Sequence, residues 1–148
     1  MNDRDDRPLF RKIDCLRLPV PDLDAGLAFY RDKLGHKLSW RTETAAGLRM
    51  PETDAELVIH TEYDGMETDL LVASAGDASA AIVAAGGRVL KRPFDIPIGR
   101  CVVVEDPWGN CLVLLDMSKG ALIADSNGHV VLDDFGNPRV ARPNDLAG

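Results

Sequence analysis

The sequence predicts an α+β fold of two βαβββ modules in tandem, paired around a cleft and followed by a short C-terminal extension. Three observations carry that expectation. A phrase running Asp14-Cys15-Leu16-Arg17-Leu18, then Asp22-Leu23-Asp24-Ala25, then a helical stretch closed by Gly35, is echoed further on. The echo is Asp69-Leu70-Leu71-Val72, then Asp77-Ala78-Ser79-Ala80, then a helical stretch closed by Gly86-Gly87. The spacing repeats as well, since Asp14 lies eight residues before Asp22 and Asp69 lies eight before Asp77. A unit of about 55 residues present only twice is too long and too few for a stacked repeat array. It points instead to a duplicated unit whose halves pair across a pseudo-twofold axis, which leaves a cleft between them. Finally, each half reads as strand, helix and three strands.

Residues 1–9 read as a polar arm, 10–64 as the first module, 65–118 as the second and 119–148 as the extension. Ile13 to Val20 is apolar and β-branched enough for a strand, ended by Pro19 and Pro21. Asp22 or Asp24 caps the helix that follows. Its Leu23, Leu27, Tyr30 and Leu34 form one apolar stripe, and Gly35 supplies the left-handed stop. Lys37 to Thr42, Ala46 to Met50 and Glu56 to Thr61 read as short strands, with turn chemistry at Pro51-Glu52-Thr53-Asp54.

The second half repeats the order. Asp69 to Ser74 reads as a strand, and Asp77 as the cap of a helix buried through Ala81, Ile82 and Ala85 and ended by Gly86-Gly87. Arg88 to Lys91 reads as a strand before a loop from Pro93 to Pro97. Arg100 to Glu105 and Cys111 to Asp116 form a hairpin over Asp106-Pro107-Trp108-Gly109-Asn110, where Gly109 takes the positive φ of a bulged loop. In the extension, Asn127-Gly128 turns a small hairpin between Leu122-Ile123 and Val130-Val131, and the remainder reads as polar and loosely held.

Composition narrows the function classes. A chain of 148 residues can bury a real core, and 45% hydrophobic with 28% charged residues is ordinary for a globular protein. A net charge of -7 disfavours nucleic acid and anionic membrane surfaces, both of which need a basic patch. No stretch has the length of a membrane helix, and Met1-Asn2-Asp3-Arg4-Asp5-Asp6-Arg7 lacks the apolar core of a secretion signal. Cys15, Cys101 and Cys111 form no CxxC and cannot all pair, so reduced thiols in a cytoplasmic protein are expected.

Paired βαβββ modules carrying Val-Pro-Asp-Leu-Asp-Ala-Gly-Leu-Ala-Phe-Tyr-Arg-Asp-Lys-Leu-Gly (Val20 to Gly35) and Asp-Pro-Trp-Gly-Asn (Asp106 to Asn110) resemble the vicinal oxygen chelate superfamily. That superfamily includes glyoxalase I, bleomycin-resistance proteins, fosfomycin-resistance enzymes and extradiol dioxygenases. The resemblance spans roughly Arg11 to Ser118. It implies curved mixed sheets around the cleft, and a homodimer, since members often build or complete their clefts across subunits. It does not fix function, because members include lyases, transferases, oxygenases and drug binders.

The resemblance also implies where a divalent metal would be held. One ligand is a His or Gln near the start of each module's first strand, about seven residues before the helix-opening Asp. That count reaches Cys15 and Leu70. Another is a Glu three residues after the Asn of the Asp-Pro-x-Gly-Asn turn, which here is Val113, with Val58 as its first-half counterpart. Leucine and valine have no lone pairs, and a divalent metal needs three or four donors. A slip that keeps the same face gives Ile13 or Arg17, Thr68 or Val72, and Cys111 or Leu115, again without a His/Glu set. The metal site therefore reads as dismantled. Two remnants stand apart from this. His60 would share the face of Val58 near Glu56, and a one-residue change of count would turn Asp14 and Asp69 inward as candidate general bases.

By the same alternation, Cys15, Arg17, Val72, Cys111, Val113 and Leu115 face inward, giving a largely apolar wall with a cationic spot. Trp40, Arg49, His60 and Arg100 come from strands expected to rim it, and the arginines could anchor a carboxylate or phosphate. Trp108, in a turn, suits exposure, an interface or ligand stacking. The expected ligand-binding residues are thus Cys15, Arg17, Trp40, Arg49, His60, Val72, Arg100 and Val113, with no catalytic or metal-ligating residue assigned. The expected function is binding of a small organic molecule in a largely apolar cleft without a metal cofactor and without turnover. One alternative is a divalent-metal lyase, isomerase or dioxygenase with a displaced ligand set around His60 and Glu56. Another is a non-catalytic protein-interaction domain whose cleft is filled by its own side chains. The expected partners are a small organic molecule and a second copy of the chain, with neither nucleic acid nor membrane.

Overall fold

The structure, a computed structural model, describes residues 7–141. Residues 1–6 of the expected polar arm and 142–148 of the extension, Pro143 included, lie outside the described residues. No described helix is long and apolar enough to cross a membrane.

The fold is α+β. Strand β1 (Lys12–Pro19) leads into α1 (Leu23–Leu27), which continues as a π-helix over Ala28–Lys33. Then come β2 (Leu38–Arg41), β3 (Ala45–Met50) and β4 (Thr53–His60). The second half holds β5 (Glu67–Leu71), α2 (Ala75–Ala84), β6 (Arg88–Ile96), β7 (Gly99–Glu105) and β8 (Cys111–Leu115). The extension adds β9 (Ala121–Leu122) and β10 (Val140–Ala141).

Eight strands form one sheet in the order β2-β3-β4-β1-β5-β8-β7-β6. Within each half the first strand runs parallel to the last, β1 to β4 and β5 to β8. The halves meet where β1 pairs antiparallel with β5 within one chain, with Cys15 opposite Asp69 and Arg17 opposite Glu67. An antiparallel seam between equivalent strands is what a pseudo-twofold axis through the sheet requires.

Both helices pack on the same face of the sheet. Leu23 and Leu27 join Ala46, Leu48, Leu57 and Ile59 in one core, while Ala75 and Ala78 join Val72, Val102, Val104 and Leu114 in the other. Strand residues alternate faces, so Cys15, Arg17, Val58, Asp69, Val103 and Val113 point to the opposite side.

Local differences from the sequence reading have local causes. The Asp22 side chain caps α1 by accepting from the Ala25 N–H at 2.9 Å, and Gly35 takes φ 86° at the stop. The intervening π-turns, in which the Leu34 N–H donates to the Phe29 carbonyl, widen the helix and rotate Leu34 off the stripe into solvent. The second helix opens at Ser74 rather than Asp77, the Ser74 hydroxyl accepting from the Asp77 N–H. Its buried face is therefore Ala75 and Ala78 with part of Ile82, and Ala81 and Ala85 stand exposed. β6 runs on through Pro93, where breaks in the ladder between Val89 and Phe94 absorb the missing N–H.

The extension is tied to both halves. The Lys119 and Gly120 N–H groups donate to the Ile98 carbonyl in the second half. At the far edge of the sheet, the Arg41 N–H donates to Gly128 and the Val130 N–H donates to Arg41 on β2. The small hairpin turns at Gly128 (φ 83°), packed on Leu38, and β9 pairs with β10. What reads as loose polar chain is held by backbone pairing to a distant strand.

Candidate functional site

The helix-free face of the sheet, the 61–66 loop and the extension enclose a cavity of about 790 Å³. That lies within the usual range for small-molecule sites, about 300–1,000 Å³. Its floor carries a row across the seam, Glu56 on β4, Cys15 on β1, Asp69 on β5 and Val113 on β8, each opposite the next. Val103, Leu115, Phe94 and Ile98 make the apolar wall of the second half, and Ala121, Leu122 and Pro138 of the extension complete the enclosure.

The polar groups are interlocked. The Cys15 thiol donates to Asp69 Oδ2 at 3.5 Å. Arg17 Nε donates to Tyr63 Oη at 2.7 Å, and Arg17 Nη2 to Glu62 Oε1 at 3.2 Å. Glu67 Oε2 lies 3.9 Å from Arg17 Nε, and Glu67 also stands close to Tyr63. Trp40 Nε1 donates to Glu56 Oε1 at 2.9 Å. That bond depends on Gly47, because a Cβ there would run into the indole nitrogen of Trp40.

Burial sets the protonation of the floor. Asp69, only 5% exposed, is pushed up to about 8 by desolvation, with the neighbouring Glu67 carboxyl adding to the shift. Desolvation also raises Glu56, against the opposing Trp40 hydrogen bond, and raises Asp14. The Cys15 thiol is pushed far up by burial and by the Asp69 and Asp14 carboxyls, so it keeps its proton. Tyr63 is pushed up to about 12, chiefly by burial.

Of the eight residues expected to bind ligand, Cys15, Arg17, Trp40 and Val113 line this cavity. Arg49 lies at a separate, smaller depression beside Met50 and Thr53. Arg100 reaches the Pro93 carbonyl and Asp95 instead. Val72 belongs to the helix-side core. The reason is phase. Because α2 is capped at Ser74, seven residues back is Glu67, not Leu70, and the inward residues of β5 are Glu67 and Asp69. Counting from Ser74, an N-cap type as strong as Asp77, was the signal for Glu67. Asp14 also lines the cavity, through a register break in β1 between Ile13 and Cys15.

His60 has 0% exposure. Its ring stacks on Tyr63 with centroids 4.2 Å apart, and its Nδ1 accepts from the Glu62 N–H at 3.1 Å. Desolvation, then the Arg17 charge, lowers its pKa, so it is a neutral wall residue behind Tyr63. Four residues along one strand separate it from Glu56, about 13 Å of rise, so the two do not converge on one ion.

The donors present do not fit a divalent metal. Val58 and Val113 have no lone pairs, the Cys15 thiol is turned onto Asp69, and Glu67 lies against Tyr63 and Arg17. Among the described residues no group of three or more His, Cys, Asp or Glu side chains is arranged to hold one.

An eight-stranded sheet of two βαβββ halves joined edge to edge around a cavity defines a class of paired-module cleft proteins. The model of the Glyoxalase/Bleomycin resistance protein/Dioxygenase superfamily matches residues 12–114, and the chain belongs to that superfamily. Among solved structures it is similar to methylmalonyl-CoA epimerase from Mycobacterium tuberculosis, at 17% identity and TM-score 0.61, covering 77% of this chain and 93% of that one. It is also similar to a Mn(II)-bound glyoxalase from Novosphingobium aromaticivorans, at 23% identity and TM-score 0.53, covering 72% of this chain and 39% of the other. An extradiol ring-cleaving dioxygenase from B.fuscum aligns at 24% identity and TM-score 0.55, over 74% of this chain and 33% of the other. These likenesses show the fold. No curated protein matches the sequence.

Proposed function

We propose that the protein binds a small organic molecule in the cleft between its two halves, without a metal and without chemical turnover. The observation that carries this reading is the cavity itself. It is about 790 Å³, apolar on one side and carboxyl-lined on the other, and of the positions where the superfamily resemblance implies metal ligands, Val58 and Val113 have no donor, Cys15 bonds to Asp69 and Glu67 lies beside Arg17. An open cavity of this size also speaks against a cleft filled by its own side chains. On this reading residues 10–64 and 65–118 are the two walls, and the extension from 119 onward is the cover.

Elemental analysis of protein purified without chelator or affinity tag tests it, followed by a thermal-shift series with Zn, Ni, Mn, Fe(II) and Co. The expected result is near-zero metal and no shift in Tm. About one metal per chain, or a rise in Tm with one of these ions, would overturn the reading.

A further inference from the structure

The charge of the cavity is the reverse of the cationic spot that the sequence suggests. Six carboxyls line it, those of Asp14, Asp54, Glu56, Glu62, Glu67 and Asp69, against Lys12, Arg17 and Lys91. Each cation is already engaged. Lys12 pairs with Asp54 at 2.6 Å, Arg17 is held by Tyr63 and Glu62, and Lys91 stands over the Phe94 ring, three strands away from Asp69. Asp14, Glu56 and Asp69 stand in no salt bridge among the described residues and feel Lys12, Arg49 and Arg17 only at longer range, while Glu67 shares Arg17 at 3.9 Å with Glu62. Asp69 Oδ1 is buried with no hydrogen-bond donor facing it, and its near neighbour is another carboxyl, Glu67.

A desolvated carboxylate is costly unless it is paired or holds a proton. An anionic ligand would meet four carboxyls, and a neutral one would gain nothing from those that are ionised or can become so. A cation placed among them is attracted strongly, because the wall beside them is apolar and the effective dielectric is low. We infer that the ligand is a small organic cation, an amine or ammonium on an apolar body, with its charge beside Asp69, Glu67 and Glu56 and its body against Val103, Val113, Leu115 and the extension's Leu122. The inference rests on the small-molecule reading above and names the ligand class for the same site.

Binding has a proton consequence. In the free protein the proton that burial holds on Asp69 relieves its repulsion with Glu67. An arriving ammonium takes over that task, and one proton leaves to solvent while the ligand keeps its own. The titratable and charged groups that act on Asp69 are Cys15 and Arg17 from β1, Glu67 on its own strand and Cys101 from β7; its partner on β8 is Val113. Both thiols are held protonated, Cys101 being pushed up to about 12 by burial, so neither supplies the proton.

The test compares three isosteric probes, 3-phenylpropylamine, 3-phenylpropan-1-ol and 3-phenylpropanoate, by amide chemical-shift titration at pH 7 to millimolar concentration. The amine is expected to shift the amides of Cys15, Glu56 and Asp69 and to bind at least tenfold more tightly than the alcohol, with the carboxylate weaker still. Calorimetry of the amine in phosphate and in Tris buffer should show proton release. Asp69→Asn should abolish that release and reduce the amine preference at least threefold, and Glu56→Gln, which leaves the seam intact, should also weaken the preference. If alcohol or carboxylate binds in the cavity as tightly as the amine, the cation inference falls while the small-molecule reading stands. If no probe shifts the cavity amides, both fall.

Discussion

The Cys15 thiol donates to Asp69 Oδ2 across the seam that joins the two halves, at a sulfur–oxygen distance of 3.5 Å. Each residue is nearly sealed from solvent, Cys15 at 3% exposure. The pair therefore sits at the pseudo-twofold axis as two groups that prefer to be neutral, and the protonation of the cavity floor follows from that position.

Asp69 should make the protein less stable at alkaline pH. Its folded pKa of about 8 lies above the ordinary carboxylate value near 4, so between those limits the folded state binds the extra proton. Its contribution is then fully present below about pH 4 and is lost as pH rises through about 8. Asp69→Asn, neutral at every pH, should flatten that decline and gain on the order of 1–3 kcal/mol relative to the parent at pH 9. Urea unfolding at pH 5, 7 and 9 measures it, and an unchanged pH slope in the variant would contradict the assignment.

Asp116 should behave with the opposite sign. Burial works to raise its pKa, but hydrogen bonds from the Ala75, Arg100 and Ser118 N–H groups and the Ser118 hydroxyl outweigh that and leave it lowered. Its contribution is present above the unfolded carboxylate pKa and is lost as pH falls through the lower folded value. These bonds fasten the start of α2 to β7 and to the first turn of the extension. Asp116→Ala should cost about 2–4 kcal/mol at pH 7, by stranding buried donors, and the deficit should shrink on acidification. Chemical denaturation at pH 7 and pH 3 reads both effects.

The thiols should separate by environment. Cys15 and Cys101 are buried with raised pKa values, whereas Cys111 is exposed at the start of β8. A thiol-reactive disulfide reagent at pH 8 should label one cysteine quickly and the other two only on unfolding. Peptide mapping of the first adduct should place it at Cys111.

Gly47→Ala should dislodge Trp40. The new methyl would occupy the space of the indole nitrogen and break the bond to Glu56, at a cost of about 1–3 kcal/mol. In a Trp108→Phe background, which leaves Trp40 as the single tryptophan, the emission should shift to longer wavelength as the ring leaves its pocket. An unmoved spectrum would show that β3 can give way instead.

What the chain determines by itself is what neighbours in sequence can decide. Asp22 caps because its carboxylate reaches an N–H three residues on, and Gly35 and Gly109 stop or turn the chain because they alone take positive φ cheaply. The duplicated order of elements and the inward direction of Cys15, Arg17 and Val113 were legible on the same basis. Phase in the second half was not. Ser74 and Asp77 are both good caps, and the choice falls to Ser74, where Asp116, forty-two residues further on, accepts from the first N–H of the helix.

Only the tertiary structure decided the rest. It joined the halves along β1 and β5 in one chain, drew the extension back to Arg41 on the edge strand, and sent Arg49, Arg100 and Val72 away from the cavity. The charge of the site belongs here too. A carboxylate in a sequence carries its ordinary pKa, and only enclosure by an apolar wall and beside Glu67 gives Asp69 its hold on a proton, because desolvation is a property of the surroundings and not of the residue.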